Sequence, residues 1–215
     1  MGDIEAWEGA AAAVHDETGV GAPVDAFELA GCCGLSPRPW ARADARLEPD
    51  GTLWYPMRAR STRQHGLVAH ELGHWALDRA DEQQSEAGAS YVAGALMLPR
   101  REYDRDLRAT QWDLRLLQAK HLHVSAEMLA RRIVELRDAV ATILDQGRAT
   151  RRVASPWLGD KFKRLSQFER ELADRALESE DTVREGDLLW AFPMLDGPHR
   201  RVVLVCEAEQ LSLRL

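Results

Sequence analysis

The run Leu67-Val68-Ala69-His70-Glu71-Leu72-Gly73-His74-Trp75 constrains this chain more than any other stretch. Leu67, Val68, Leu72 and Trp75 recur at helical intervals between about Thr62 and Leu77, so an amphipathic helix is expected there, with Ser61 or Thr62 as its cap. Residues four apart share a helix face, which sets the imidazoles of His70 and His74 side by side with Cβ atoms roughly 6 Å apart. Both rings can then reach one divalent ion. Glu71 lies about a quarter-turn off that line, away from the ion but near any water beside it, where a carboxylate can take a proton.

His70-Glu71-Leu72-Gly73-His74 has the H-E-x-x-H form of zinc metalloproteases. Gly73 removes side-chain bulk beside the site, a use that offsets its cost of about 1 kcal/mol against Ala inside a helix. A catalytic zinc needs a third protein ligand and an open position for water. Asp78, Asp81, Glu82 and Glu86 are all candidates. Glu86 is favoured because it opens a second apolar-periodic run, Glu86 to Met97, closed by Pro99, whereas the other acids lie in the polar connection. Ser90 shares the face of Glu86 and is placed to hydrogen-bond a ligating histidine.

Around this pair the chain reads as α+β. Helices are expected over Ala6 to Val14 and Val24 to Ala30, and a hairpin around the Pro49-Asp50-Gly51 turn with Leu53-Trp54-Tyr55 in its second strand. Beyond Pro99, Asp113 to Ala119 and Ala126 to Leu136 read as a helix-turn-helix-like pair sharing a core that includes Leu122 and Val124. Ala139 to Leu144 and Arg151 to Ala154 flank Asp145-Gln146-Gly147-Arg148, a hairpin or wing beside that pair. The tail offers a helix at about Leu165 to Leu177, then strands Leu188 to Phe192 and Arg201 to Cys206 joined across Asp196-Gly197-Pro198. The expected division is a metallopeptidase domain over 1–110, the helix pair over 111–145 and an α+β appendage over 146–215.

With 45% apolar and 29% charged residues in 215, a packed core is available. The net charge of −7 repels polyanions, which disfavours direct nucleic-acid binding. Cys32, Cys33 and Cys206 lack metal-ligand spacing and suit a reducing, cytoplasmic setting. The acidic start does not read as a secretory signal, Ala6 stands where N-myristoylation wants Ser or Thr, and no run is long enough to span a membrane.

Two motifs resemble the ImmA/IrrE-type metallopeptidases of bacteria and their mobile elements. One is Leu67-Val68-Ala69-His70-Glu71-Leu72-Gly73-His74; the other is Glu86 followed by Ala89-Ser90, Ala93-Gly94-Ala95 and Leu96-Met97-Leu98-Pro99. The resemblance runs from about Ala22 to Leu136 and says little of 146–215. It implies a zincin-like helical core with a small sheet, one Zn2+ per chain on His70, His74 and Glu86, and Glu71 as the catalytic glutamate. Ser90 departs from the family's usual Asn, and Val92 from its usual Phe. Family members are implicated in cleaving or inactivating helix-turn-helix transcriptional repressors, often under stress, which implies a protein substrate of that class.

Other residues have competing readings. His65, Tyr55 and Tyr91 are candidates to donate to an oxyanion, against plainer roles as a solvated side chain, a hairpin packing residue and a helix anchor. His121 and His123 can be read as a second metal site or as a polar turn. Arg131, Arg132, Arg148, Arg151 and Arg152 can be read as a basic wing touching phosphates or as a solvated face balanced by Glu127, Glu135 and Asp138. The expected function is zinc-dependent hydrolysis of a peptide bond in a specific intracellular protein. The alternative is a DNA-binding or partner-binding regulator that holds zinc without turnover.

Overall fold

The computed structural model describes residues 4–186, 189–194 and 200–212. The Asp196-Gly197-Pro198 turn and the chain's first three residues lie outside that set. Contacts group the chain into two compact units, Met1–Arg105 with Gln118–Ser125, and Asp106–Leu117 with Ala126–Leu215. The chain passes between them within helices α5 (Arg100–Thr110) and α6 (Leu114–Lys120) and again between Ser125 and Ala126.

In the first unit, α1 (Ile4–Thr18), α3 (Ser61–Arg79) and α4 (Glu86–Met97) pack together, and α2 (Ala26–Cys32) lies against α3. Helix α4 is buried along most of its length, including Ala89, Val92, Ala93, Ala95, Leu96 and Met97. Its small side chains let neighbouring backbones approach closely. Strand β2 (Arg46–Leu47) pairs antiparallel with β3 (Thr52–Pro56) across the expected Pro49-Asp50-Gly51 turn, where Gly51 adopts φ +84°. A further strand, β1 (Ser36–Trp40), runs parallel to β3, so the sheet order is β1-β3-β2. Pro37 and Pro39 make that stretch look like a break. They fit a strand because β1 is an edge: the Ser36 N–H donates inward to Gly51 O at 2.9 Å, and the alternating prolines put their missing N–H groups on the open side.

Helix α5 begins directly after Pro99, a stretch without an expected element. Its sequence is mostly charged, but Tyr103 and Leu107, one turn apart, are fully buried. Helices α6 and α7 (Ala126–Leu136) form close to their expected limits. Leu114, Leu117, Leu129 and Ile133 are buried, whereas Leu122, expected in the same core, is 68% exposed at the tip of the turn.

The second unit is built on a five-stranded antiparallel sheet of order β5-β4-β8-β7-β6, formed by β4 (Ala139–Asp145), β5 (Arg148–Ala154), β6 (Val183–Arg184), β7 (Leu189–Met194) and β8 (Arg201–Glu207). The β4–β5 hairpin turns at Gln146 and Gly147, both with positive φ, the geometry that matches strand twist. Strand β4 pairs with β5 in the expected hairpin and with β8 along its whole length, so one sheet runs through residues 139–207. Both faces of β4 are buried, and both of its edges are hydrogen-bonded, one to β5 and the other to β8. Helix α8 (Gln167–Ser179) covers one face with Leu172, Ala173 and Ala176 against Val140, Leu144, Leu204 and Cys206. Burial pushes the Cys206 thiol up to about 12, so it behaves as a packing residue. The short helix α9 (Ala208–Ser212) adds Ala208 and Leu211 to the same core. The fold is α+β, with no helix among the described residues long and apolar enough to cross a membrane.

Candidate metal centre

Helices α3 and α4 run antiparallel, as shown by Leu77 meeting Gly88, Gly73 meeting Ala89 and His70 meeting Ser90. The crossing is tightest at Gly73, where a Cβ would stand 2.3 Å from the Ala89 carbonyl oxygen. Only a residue without a side chain fits that position. The Ser85 hydroxyl caps α4 by accepting the Gly88 N–H at 3.0 Å, which fixes Glu86 as the first residue of the helix.

This crossing brings together the three residues selected from the sequence. His70 Nε2 lies 3.2 Å from Glu86 Oε2, and His74 Nε2 lies 3.4 Å from Glu86 Oε1. The two imidazoles meet edge to face with centroids 4.9 Å apart, so both Nε2 atoms turn to the same carboxylate. A tetrahedral ion with bonds of about 2.0–2.2 Å keeps its donor atoms roughly 3.3–3.5 Å apart. The two nitrogen–oxygen spacings, each to a different oxygen of Glu86, are of that size, the three donor atoms lie within 4.8 Å of one another, and two imidazole nitrogens with one carboxylate are a donor set suited to zinc. The Glu86 side chain is 83% exposed, which leaves the cluster open to solvent. Asp78, Asp81 and Glu82, the other candidate third ligands, are not among the residues brought to it.

Partners outside the cluster orient the rings. Ser90 Oγ lies 3.4 Å from His70 Nδ1, a long contact. His74 Nδ1 lies 3.0 Å from Gln84 Oε1, an acceptor, so Nδ1 carries the proton and Nε2 keeps its lone pair for the cluster. Gln84 in turn donates to the His74 carbonyl at 3.0 Å, which locks its amide in that orientation. Nothing in the motif points to Gln84, which sits in the polar connection between the helices. Glu71 accepts the Leu47 N–H on Oε2 at 3.0 Å, tying the glutamate to strand β2.

The remaining candidates part ways. Tyr91 donates to Glu8 Oε1 at 2.8 Å and packs on Trp7, and Tyr55 packs edge-on against Phe27. His65 is not solvated: it is 5% exposed, stacked on His123 and edge-on to Phe27. His121 is buried against Tyr103 rather than displayed on a polar turn. Of the basic residues, Arg132 is fully buried and pairs with Glu135, as does Arg131. Arg151 pairs with Glu127, and Arg152 with the buried Glu169. These four guanidinium groups are already engaged by carboxylates of their own unit, which leaves little of the phosphate-binding wing.

Residues 40–134 match the family model of the IrrE N-terminal-like domain, peptidase family M78. The match spans the first sheet's Trp40, both helices of the cluster and most of α7. The whole chain resembles a solved structure described as a Mycobacterium tuberculosis transcriptional regulator, with 17% identity, 97% of this chain and 77% of that chain covered, and a TM-score of 0.67. At that identity the likeness establishes the fold. No curated protein matches the chain.

Proposed function

We propose that this chain, whose residues 40–134 match the IrrE N-terminal-like peptidase domain, is a zinc-dependent metallo-endopeptidase that cuts a specific intracellular protein, with a helix-turn-helix transcriptional repressor as the substrate class. The observation that carries this reading is the convergence of His70 Nε2 and His74 Nε2 on the two oxygens of Glu86. Those three side chains would hold one Zn2+, which supplies Lewis acidity: it activates water near neutral pH and polarises a carbonyl.

The chain's own groups supply the rest. Glu71 Oε2 is held by the Leu47 N–H, which leaves Oε1 to accept the proton of the attacking water. As the water oxygen joins the carbonyl carbon and the C–N bond breaks, the same carboxyl gives its proton to the leaving amine nitrogen. Gln84 holds His74 in the ring orientation that keeps Nε2 free, and Ser90 Oγ contacts His70 on the ring nitrogen away from the cluster. The regulator named as a structural neighbour fits a role in transcriptional control, exercised here by removing a repressor.

The test is incubation of the zinc-loaded chain with a helix-turn-helix repressor taken from its gene neighbourhood, followed by mass analysis of the fragments. Wild type should yield a single cut. Glu71→Gln should keep its metal and lose roughly 10²–10⁴-fold in rate. Metal retention with no cleavage by wild type would favour the alternative of a regulator that holds zinc without turnover; undiminished cleavage by Glu71→Gln would exclude Glu71 as the base.

A further inference from the structure

The first unit holds a second cluster of metal-ligating type, formed by Asp25, His65 and His123. Asp25 caps α2, its Oδ1 accepting the N–H groups of Phe27 at 2.7 Å and Glu28 at 3.3 Å. His65 stands on α3 five residues before His70. Its Nδ1 lies 2.9 Å from the Ser61 carbonyl oxygen, which can only accept, so Nδ1 carries the proton. In the neutral ring Nε2 is then a bare lone pair. That atom is buried, has no hydrogen-bond partner among the described residues, and lies 3.4 Å from Asp25 Oδ1. A lone pair facing a carboxylate is repulsive unless a cation lies between them.

A proton on His65 is one such cation; a divalent ion is the other, and the presence of a second imidazole on the same carboxylate favours the ion. The two imidazoles are stacked with centroids 4.2 Å apart and planes 20° apart, and His123 Nε2 is 3.8 Å from Asp25 Oδ2. Two imidazolium rings in that stack repel each other. One divalent ion answers all three groups at once.

We propose that Asp25, His65 and His123 form a second cation site that takes a divalent transition metal of the zinc class. Two imidazole nitrogens and one carboxylate oxygen select such an ion over Mg2+ or Ca2+, which require mostly oxygen donors. The donor atoms lie within 4.8 Å of one another, so a small adjustment closes them around an ion. His123, a third exposed, turns its ring out of the stack to complete the set, while the buried His65 and the capping Asp25 stay fixed. The ion's role is to brace. It clasps the Gln118–Ser125 segment to α2 and α3 within the first unit, upstream of the proposed catalytic cluster on the same helix.

The test strips the full-length chain with a chelator and titrates it with Co2+, following the visible ligand-field bands. In a His70→Ala/His74→Ala background one equivalent should still bind. Adding His123→Ala should weaken that binding at least 100-fold, and Asp25→Asn, which still caps a helix, should do the same. Zinc should raise the unfolding midpoint of the background variant and leave that of the His123→Ala derivative unmoved. No Co2+ uptake by the background variant, or uptake indifferent to both added substitutions, overturns the site. A proton bridging Asp25 and His65 would give the first of those results. If wild type binds one equivalent and the background variant none, this site falls and the His70 cluster stands. If the single equivalent survives in the background variant and is lost with His123→Ala, the reverse holds.

Discussion

Gln84 illustrates how much of the proposed centre depends on single atoms outside the motif. An imidazole binds metal through one nitrogen only while the other is protonated and held, and His74 has its Nδ1 proton directed at the Gln84 amide oxygen. Replacing Gln84 by Ala frees the ring to rotate and to exchange tautomers. Zinc affinity should fall about 10–100-fold, measured by competition with a chromogenic chelator, while Ser90→Ala should cost less because its 3.4 Å contact with His70 is long. Equal losses for both variants would contradict the assignment. The adjacency of His70 and His74 is legible because side-chain spacing on a helix is fixed by 3.6 residues per turn, and Glu86 stands out because it opens the next helix; their roles are the proposal. Gln84 is not legible in this way, because a loop has no period from which to read the direction of a side chain. His65 was misread for a related reason: its burial depends on Phe27 and His123, remote in sequence, and not on its own helix.

At the scale of elements, the centre exists because α3 and α4 cross closely enough for Glu86 to reach both histidines. Gly73 sets that distance. A methyl group there would meet the backbone of Ala89, which cannot move aside as the end of a flexible side chain can. Gly73→Ala should therefore destabilise the fold by about 1–3 kcal/mol, the cost of overpacking, despite alanine's better helix propensity. It should also weaken zinc binding, since the helices must part. A denaturant melt and a zinc titration check the two effects; a variant more stable than wild type would show that the crossing is looser than described. The elements that sequence patterning placed well, α3, α4, α7 and the β4–β5 hairpin, carry strong apolar periods or a turn pair that demands positive φ. Those it missed lack them. Strand β1 is a proline-bearing edge, and the only apolar side chains that α5 buries are Tyr103 and Leu107, in an otherwise mostly charged sequence. The pairing of β4 with β8 joins residues some sixty positions apart, which no local pattern encodes.

For the whole molecule, the two units answer to different forces. The first contains both candidate cation clusters, whereas the second is an apolar sheet with α8 packed on it, its core built from Val140, Leu144, Leu172 and Leu204. Zinc at a thousand times its dissociation constant stabilises whatever binds it by about 4 kcal/mol. In the zinc-loaded chain, amide hydrogen exchange should slow in α3 and α4 and remain unchanged in β4, β7 and β8. Uniform slowing across the chain, or none, would contradict the division. The central claim is narrower: one zinc ion is held jointly by His70, His74 and Glu86. Crystals of the zinc-loaded chain measured at the zinc absorption edge test it most directly. The account predicts an anomalous peak at about 2.0–2.2 Å from both Nε2 atoms and from a Glu86 oxygen. Density that lacks a peak there, or a peak bound by the histidines with Glu86 turned away, would contradict it.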